Sequence, residues 1–213
     1  MHKLKWKLEY SVTLFVIFGV ILLLLPVSVS NSWQAALISK WNERYNRVDY
    51  MFSVIKAHFT DETRVSFQNA KTDQDREELM LLLVKPYLRV DTSKKVPRRY
   101  KLHYMDKTRA MKGQFYYFNE FYYMGDGSIV GIKDIDQKYP EDPIFIMMFD
   151  LNGILPPNRW GKDVFGINIY NNGRIEPFGY DLSMEALEKD CSPEGTGITC
   201  SYYYKIGGAF EDK

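Results

Sequence analysis

VTLFVIFGVILLLLPVSV, residues 12–29, runs for eighteen positions without a charged side chain. That length is just sufficient for the roughly 20 apolar residues that span a bilayer core. Beyond it, Trp33, Leu37, Trp41, Tyr45, Val48, Phe52, Ile55 and Phe59 recur at steps of three or four. Such spacing lays one apolar stripe along a helix. No Gly or Pro separates this stripe from the apolar run after Pro26. The two segments together predict one helix from about Leu8 to Ala57, roughly 75 Å long at about 1.5 Å per residue. It is expected to be transmembrane first and amphipathic after, with Pro26 as the place for a kink.

Lys3, Lys5 and Lys7 precede the apolar run, which predicts a cytoplasmic N-terminus and a translocated remainder. The expected organisation is a leader and membrane segment over 1–30 and an extracytoplasmic globular domain over 31–213. The expected location is the inner membrane. A cleaved signal peptide, with an apolar stretch from Val12 to Leu25 and a small-residue exit at Ser28-Val29-Ser30, is the alternative. Against it, a cleaved signal has no reason to run in helical phase into the mature domain.

Residues 60–71 are polar and interrupt the helical pattern. Thr72 or Asp73 then offers an N-cap, with Asp75, Glu77 and Glu78 in the first turns. Leu79, Leu82, Leu83 and Tyr87 form the apolar face of a second helix that Pro86 should end or kink. Residues 91–113 are basic and irregular and predict a long loop. The remainder predicts strands at 115–124, 128–135, 144–151, 164–170 and 174–180. Gly125-Asp126-Gly127 and Asn171-Asn172-Gly173 mark hairpin turns. The expected fold class is α+β: a long helix packed on a four- to five-stranded antiparallel sheet.

The whole chain carries a net charge of +1, and residues 31–213 hold 25 basic and 26 acidic side chains. A near-neutral domain gives no electrostatic case for nucleic-acid binding. No nucleophile elbow, zinc-protease or phosphate-loop pattern is present; His2 lies in the leader, and His58 and His103 have no Cys or acidic partner at ligand spacing. No enzymatic activity is expected. The two cysteines, Cys191 and Cys200, predict a disulfide in a chain routed outside the cytoplasm. Lys94, Lys95, Arg98, Arg99 and Lys101 make a basic loop, read either as a contact patch or as a solvated charge run. The aromatic cluster from Phe115 to Tyr123 is read either as the core face of a strand or as a binding surface.

These features resemble the type IV pilins and type II secretion pseudopilins, subunits of extracytoplasmic filaments. Glu9 begins the apolar helix and Pro26 follows seventeen residues later, the spacing of that family. Asp150, Asn152, Gly153, Pro157, Asn158, Gly161, Asp163 and Phe165 are similar to a D-x-N-G…P-N-x-x-G-x-D-x-F segment of one pseudopilin-like group. Leu4 stands where the family has the Gly cut by prepilin peptidase, and Lys5, Trp6 and Lys7 stand where it has Phe-Thr-Leu.

The resemblance implies a pilin-like fold and a structural or minor subunit of a pilus-like or type II secretion filament. Its partners would be the membrane and other pilin-like subunits. A membrane-tethered or secreted binding module is the alternative. The resemblance also implies an assembly role for Glu9, pairing with a neighbour's N-terminal amine. Pairing with Lys5 or Lys7 at the headgroup level remains the other reading. No cofactor is required, but Asp150, Asn152 and Asp163 are candidate oxygen ligands for calcium. Turn chemistry, with Gly153 and Gly161 at positive φ, is the other reading of the same residues.

Overall fold

A computed structural model of the chain describes the backbone of residues 2–58 and 60–209, and the side chains of 10–21, 32–58 and 60–209. The first helix, α1, runs His2–Ala57. The chain divides into one compact unit up to Leu37 and another from Ile38 onward, so α1 contributes to both. In the first unit, residues 10–21 expose nine large apolar side chains, Phe15 at 84% and Leu14 at 69% among them. Among the described residues, no helix is long and apolar enough to cross a membrane. This corrects the transmembrane expectation for 12–29. The side chains of Glu9 and Pro26 lie outside the described residues.

In the second unit α1 behaves as its stripe predicts. Trp41, Tyr45, Val48, Phe52 and Ile55 are all buried, and Phe59 lies outside the described residues. After α1 come α2 (Asp61–Asn69) and α3 (Asp73–Leu88). Thr72 caps α3 reciprocally, its hydroxyl accepting from Asp75 N and its own N–H donating to Asp75 Oδ2, both at 3.1 Å. Pro86 lies inside α3, two residues before its end.

A six-stranded antiparallel meander follows: β1 (Asp91–Lys95), β2 (Tyr122–Tyr123), β3 (Ile129–Asp134), β4 (Phe145–Asp150), β5 (Val164–Ile169) and β6 (Ile175–Pro177). The expectation of four to five strands is corrected to six, because Asp91–Lys95 forms an edge strand inside the stretch expected to be a loop. Residues 60–71, expected as a break, hold α2. It has no buried residue and so carries no apolar periodicity to be recognised. Two short helices close the chain, α4 (Met184–Asp190) and α5 (Cys200–Tyr203).

Both expected hairpins form. Met124 N donates to Ser128 O at 2.8 Å and Tyr170 N to Arg174 O at 2.9 Å, around Gly127 and Gly173 at φ +83° and +78°. Every residue of β4 is buried, as a continuous apolar run covered on both faces requires. Alternation sends Phe149, with Phe165 of β5, toward α1, where Trp41 stacks on Phe165 at 5.1 Å. Ile146 and Met148 face the opposite way, into a layer containing Tyr100, Leu102, Phe118, Trp160 and Phe178. That second layer comes from segments outside the sheet. The expected strand 115–124 contributes only Tyr122–Tyr123 to pairing, and Phe118 acts as a lid on the sheet face. A Cβ at Gly131 would meet Phe118 at 3.0 Å, and one at Gly166 would meet Phe178 at 2.2 Å. Those two strand positions are glycine because aromatic rings lie flush on the backbone.

Candidate functional site

The β4–β5 connection, 151–163, gathers the residues singled out as calcium ligands. Asp150 ends β4 directly opposite Val164, so Asp163 falls beside it, and both carboxylates are fully buried. Each is met by donors. Tyr100 Oη donates to Asp150 Oδ2 at 2.9 Å, and Asn152 N donates to Oδ1 at 3.2 Å. Asn158 N and Arg159 N donate to Asp163 at 2.9 and 2.6 Å. The side-chain amide of Asn158, oriented to donate, reaches Leu155 O at 2.7 Å and Asp150 Oδ2 at 3.1 Å.

The backbone around the pair allows no substitution of its glycines. A Cβ at Gly153 (φ +73°) would fall 2.4 Å from Gly127 O, and one at Gly161 (φ +74°) would fall 2.7 Å from Cys200 Sγ. The expected positive φ at both is present.

Burial, and then the charge of Asp163, hold the Asp150 carboxyl well above the usual carboxylate range. Burial pushes Asp163 up to about 6, against the pull of its backbone donors. Two carboxylates in one dry pocket disfavour each other's ionised form. Asp163, with two backbone N–H partners, is the one that keeps its charge longer.

As a cation site the cluster supplies the two carboxylates and Asn152 Oδ1, a buried oxygen with no donor. These are hard oxygen ligands of the kind calcium takes. Among the described residues, no group of three or more His, Cys, Asp or Glu could hold a metal ion.

Cys191 and Cys200 form the expected disulfide, with Cα atoms 5.4 Å apart. The loop it closes has a second organiser that the sequence did not announce. Asp190 Oδ1 accepts from Thr196 N and Oγ1 at 2.8 and 2.6 Å, and its Oδ2 accepts from Thr199 N and Oγ1 at 2.9 and 2.8 Å. A second unannounced contact is Arg44 on α1, which is buried and donates to Ser128 Oγ at 3.2 Å while pairing with Asp126 in the β2–β3 turn.

The basic loop and the aromatic cluster, separate in sequence, converge. Lys95, Arg98, Lys101 and Arg109 share the lining of one cavity of about 700 Å³ with Tyr117, Phe121 and Tyr122. The pairing of β1 with β2 slips there: Asp91 lies opposite Tyr123 and Lys95 opposite Tyr122, so residues 92–94 bulge from the edge.

Compared with protein families, with curated proteins and with solved structures, the chain has no match. The likeness to pilins rests on Glu9, Pro26 and the segment 150–165 alone.

Proposed function

We propose that the protein is a non-enzymatic structural or minor subunit of a pilus-like or type II secretion filament, held at the inner membrane with its domain outside the cytoplasm. The observation that supports this is the collar of exposed apolar side chains on α1. Val12, Leu14, Phe15, Val16, Ile17, Phe18 and Val20 are distributed around the whole helix at about 100° per residue and are 48% to 84% exposed. A helix that is apolar all round is buried against something, and an exposed patch of that size marks an interaction surface. Equivalent helices of neighbouring subunits are the partners that match it in chemistry and shape. The disulfide agrees with a domain that matures in an oxidising compartment.

The test is a photo-crosslinking amino acid placed at Phe15 or Phe18 and expressed with the neighbouring genes. The expected product joins this chain to another copy or to a pilin-like subunit. Recovery of un-crosslinked protein, in a soluble fraction and lacking residues 1–30, would overturn the proposal. A tethered or secreted binding module is the second reading, and the basic cleft beside β1 is the observation that favours it.

A further inference from the structure

The cleft formed by the loop after β1 and the segment entering β2 is unusual in its charge. Lys95, Arg98, Lys101 and Arg109 line it, and all four are at least partly exposed. Among the described residues none of the four has an ion-pair partner; Lys94 alone meets a carboxylate there, Asp91 at 3.6 Å. Glu120 is the acidic side chain in the lining, and the Tyr122 hydroxyl already donates to it. A second cavity, of about 590 Å³ under α2, is different: of its three cations, Arg64 and Arg76 are paired with Asp61 and Asp134, and among the described residues Lys56 alone has no ion-pair partner. The positive potential is therefore concentrated at the first cleft.

We propose that this cleft binds a small ring compound carrying two or more oxyanion groups, carboxylate or phosphate. Unpaired cations around a shared hollow repel one another, and an anion of matching span removes that repulsion. Arg98 and Arg109 supply planar guanidinium forks, which grip either oxyanion through two parallel hydrogen bonds. Tyr117, Phe121 and Tyr122 are half-buried and present ring surface to the same hollow. Phe121 is pre-set by an edge contact with the buried Tyr100, ring centroids 4.9 Å apart. Pockets of roughly 300–1,000 Å³ hold small ligands, and the volume of this cleft suits one or two rings rather than a polymer. The proposal is independent of the filament reading, since it uses residues 95–122 and nothing of 1–37.

The experiment uses the full chain in nonionic detergent, titrated at low salt with digalacturonate, a nucleoside diphosphate, inorganic pyrophosphate and uncharged maltose. Calorimetry and melting temperature are the readouts. The expected result is binding of digalacturonate or the nucleoside diphosphate, weakened by added salt, with no response to maltose. The preferred one of the two ring anions distinguishes carboxylate from phosphate. Lys101→Glu combined with Arg109→Glu, both with exposed side chains, should keep the wild-type melting temperature and weaken binding about tenfold or more. Binding that is undiminished in that double variant overturns the proposal. So does a response to pyrophosphate alone, or to neither ring anion, because each would leave only a solvated basic face.

Discussion

Asp150 and Asp163 are among the few fully buried charged residues, and their effect on stability has a definite sign. Both carboxyls are raised, Asp150 well above its ordinary value and Asp163 to about 6, in each case chiefly by burial. A raised carboxyl binds its proton more tightly folded than unfolded, so its contribution is fully present below the unfolded value of about 4 and is lost as pH rises through the folded value. The melting temperature should fall as pH climbs from about 4 past 6. Tyr100→Phe removes the hydroxyl that donates to Asp150. It should cost about 1–2 kcal/mol when Asp150 is ionised, and the penalty should shrink as pH falls and Asp150 takes up its proton, because the hydroxyl favours the charged form. Calcium held by these oxygens would keep both carboxylates ionised and erase the slope. Thermal melts from about pH 4 to 8, with and without millimolar calcium, check this. A pH-independent Tyr100→Phe penalty rejects the coupling, and a slope indifferent to calcium rejects the calcium reading. The sequence revealed the turn residues of this cluster because Asp, Asn and Gly have local conformational signatures. It concealed Tyr100, whose hydrogen bond reaches across fifty residues and leaves no periodic trace.

The apolar face expected on α3 is corrected: Met80, Leu81, Val84 and Leu88 are its buried residues, while Leu82 and Tyr87 are 64% and 48% exposed. Elements with an apolar run, a cap or a turn signature were legible in their extent: the stripe of α1, the capped α3, β3 to β6 and both hairpins. Those missed lack such a pattern. The α2 helix buries nothing, and β1 reads DTSKK with four of five residues exposed, as an edge strand guarded by lysines does. Residues 115–124 misled in the other direction, since alternating aromatics suit a strand but here lie across a sheet face. The α4–α5 connection shows how two devices share one task. Closing so short a loop by a disulfide stabilises by roughly 3 kcal/mol or less. Asp190 accepts four hydrogen bonds inside the same loop. Reduction should therefore leave the loop ordered, and Asp190→Ala should cost about 2 kcal/mol by stranding its threonine partners. Combining Asp190→Ala with Cys191→Ser and Cys200→Ser should exceed the sum of the separate costs, because each device limits what the other's loss releases. Denaturant melts of the four forms test this; strict additivity would mean that the two act independently.

At the scale of the whole molecule, the domain's core is closed by its own residues while the helix upstream is left unsatisfied. Trp41 is fully buried, stacks on Phe165 and donates to Ser201 O at 2.7 Å. Arg44 ties α1 to the β2–β3 turn. From Ile38 onward α1 is thus a component of the fold, and Trp41→Ala should cost about 3–5 kcal/mol. Residues 10–21 are the reverse, with apolar side chains exposed all round and no charge among them. A chain beginning at Ser32 retains every core contact named for α1 and sheds that collar. It should melt within a few degrees of the full-length protein and remain a monomer at micromolar concentration, whereas the full-length chain should self-associate or require detergent. Sedimentation and calorimetry of the two chains decide the matter. If the shortened chain also associates, the assembly surface lies on the domain and the apolar collar is not what joins subunits. If it fails to fold, the part of α1 before Ser32 contributes to the core, and the separation of the apolar collar from the domain is wrong.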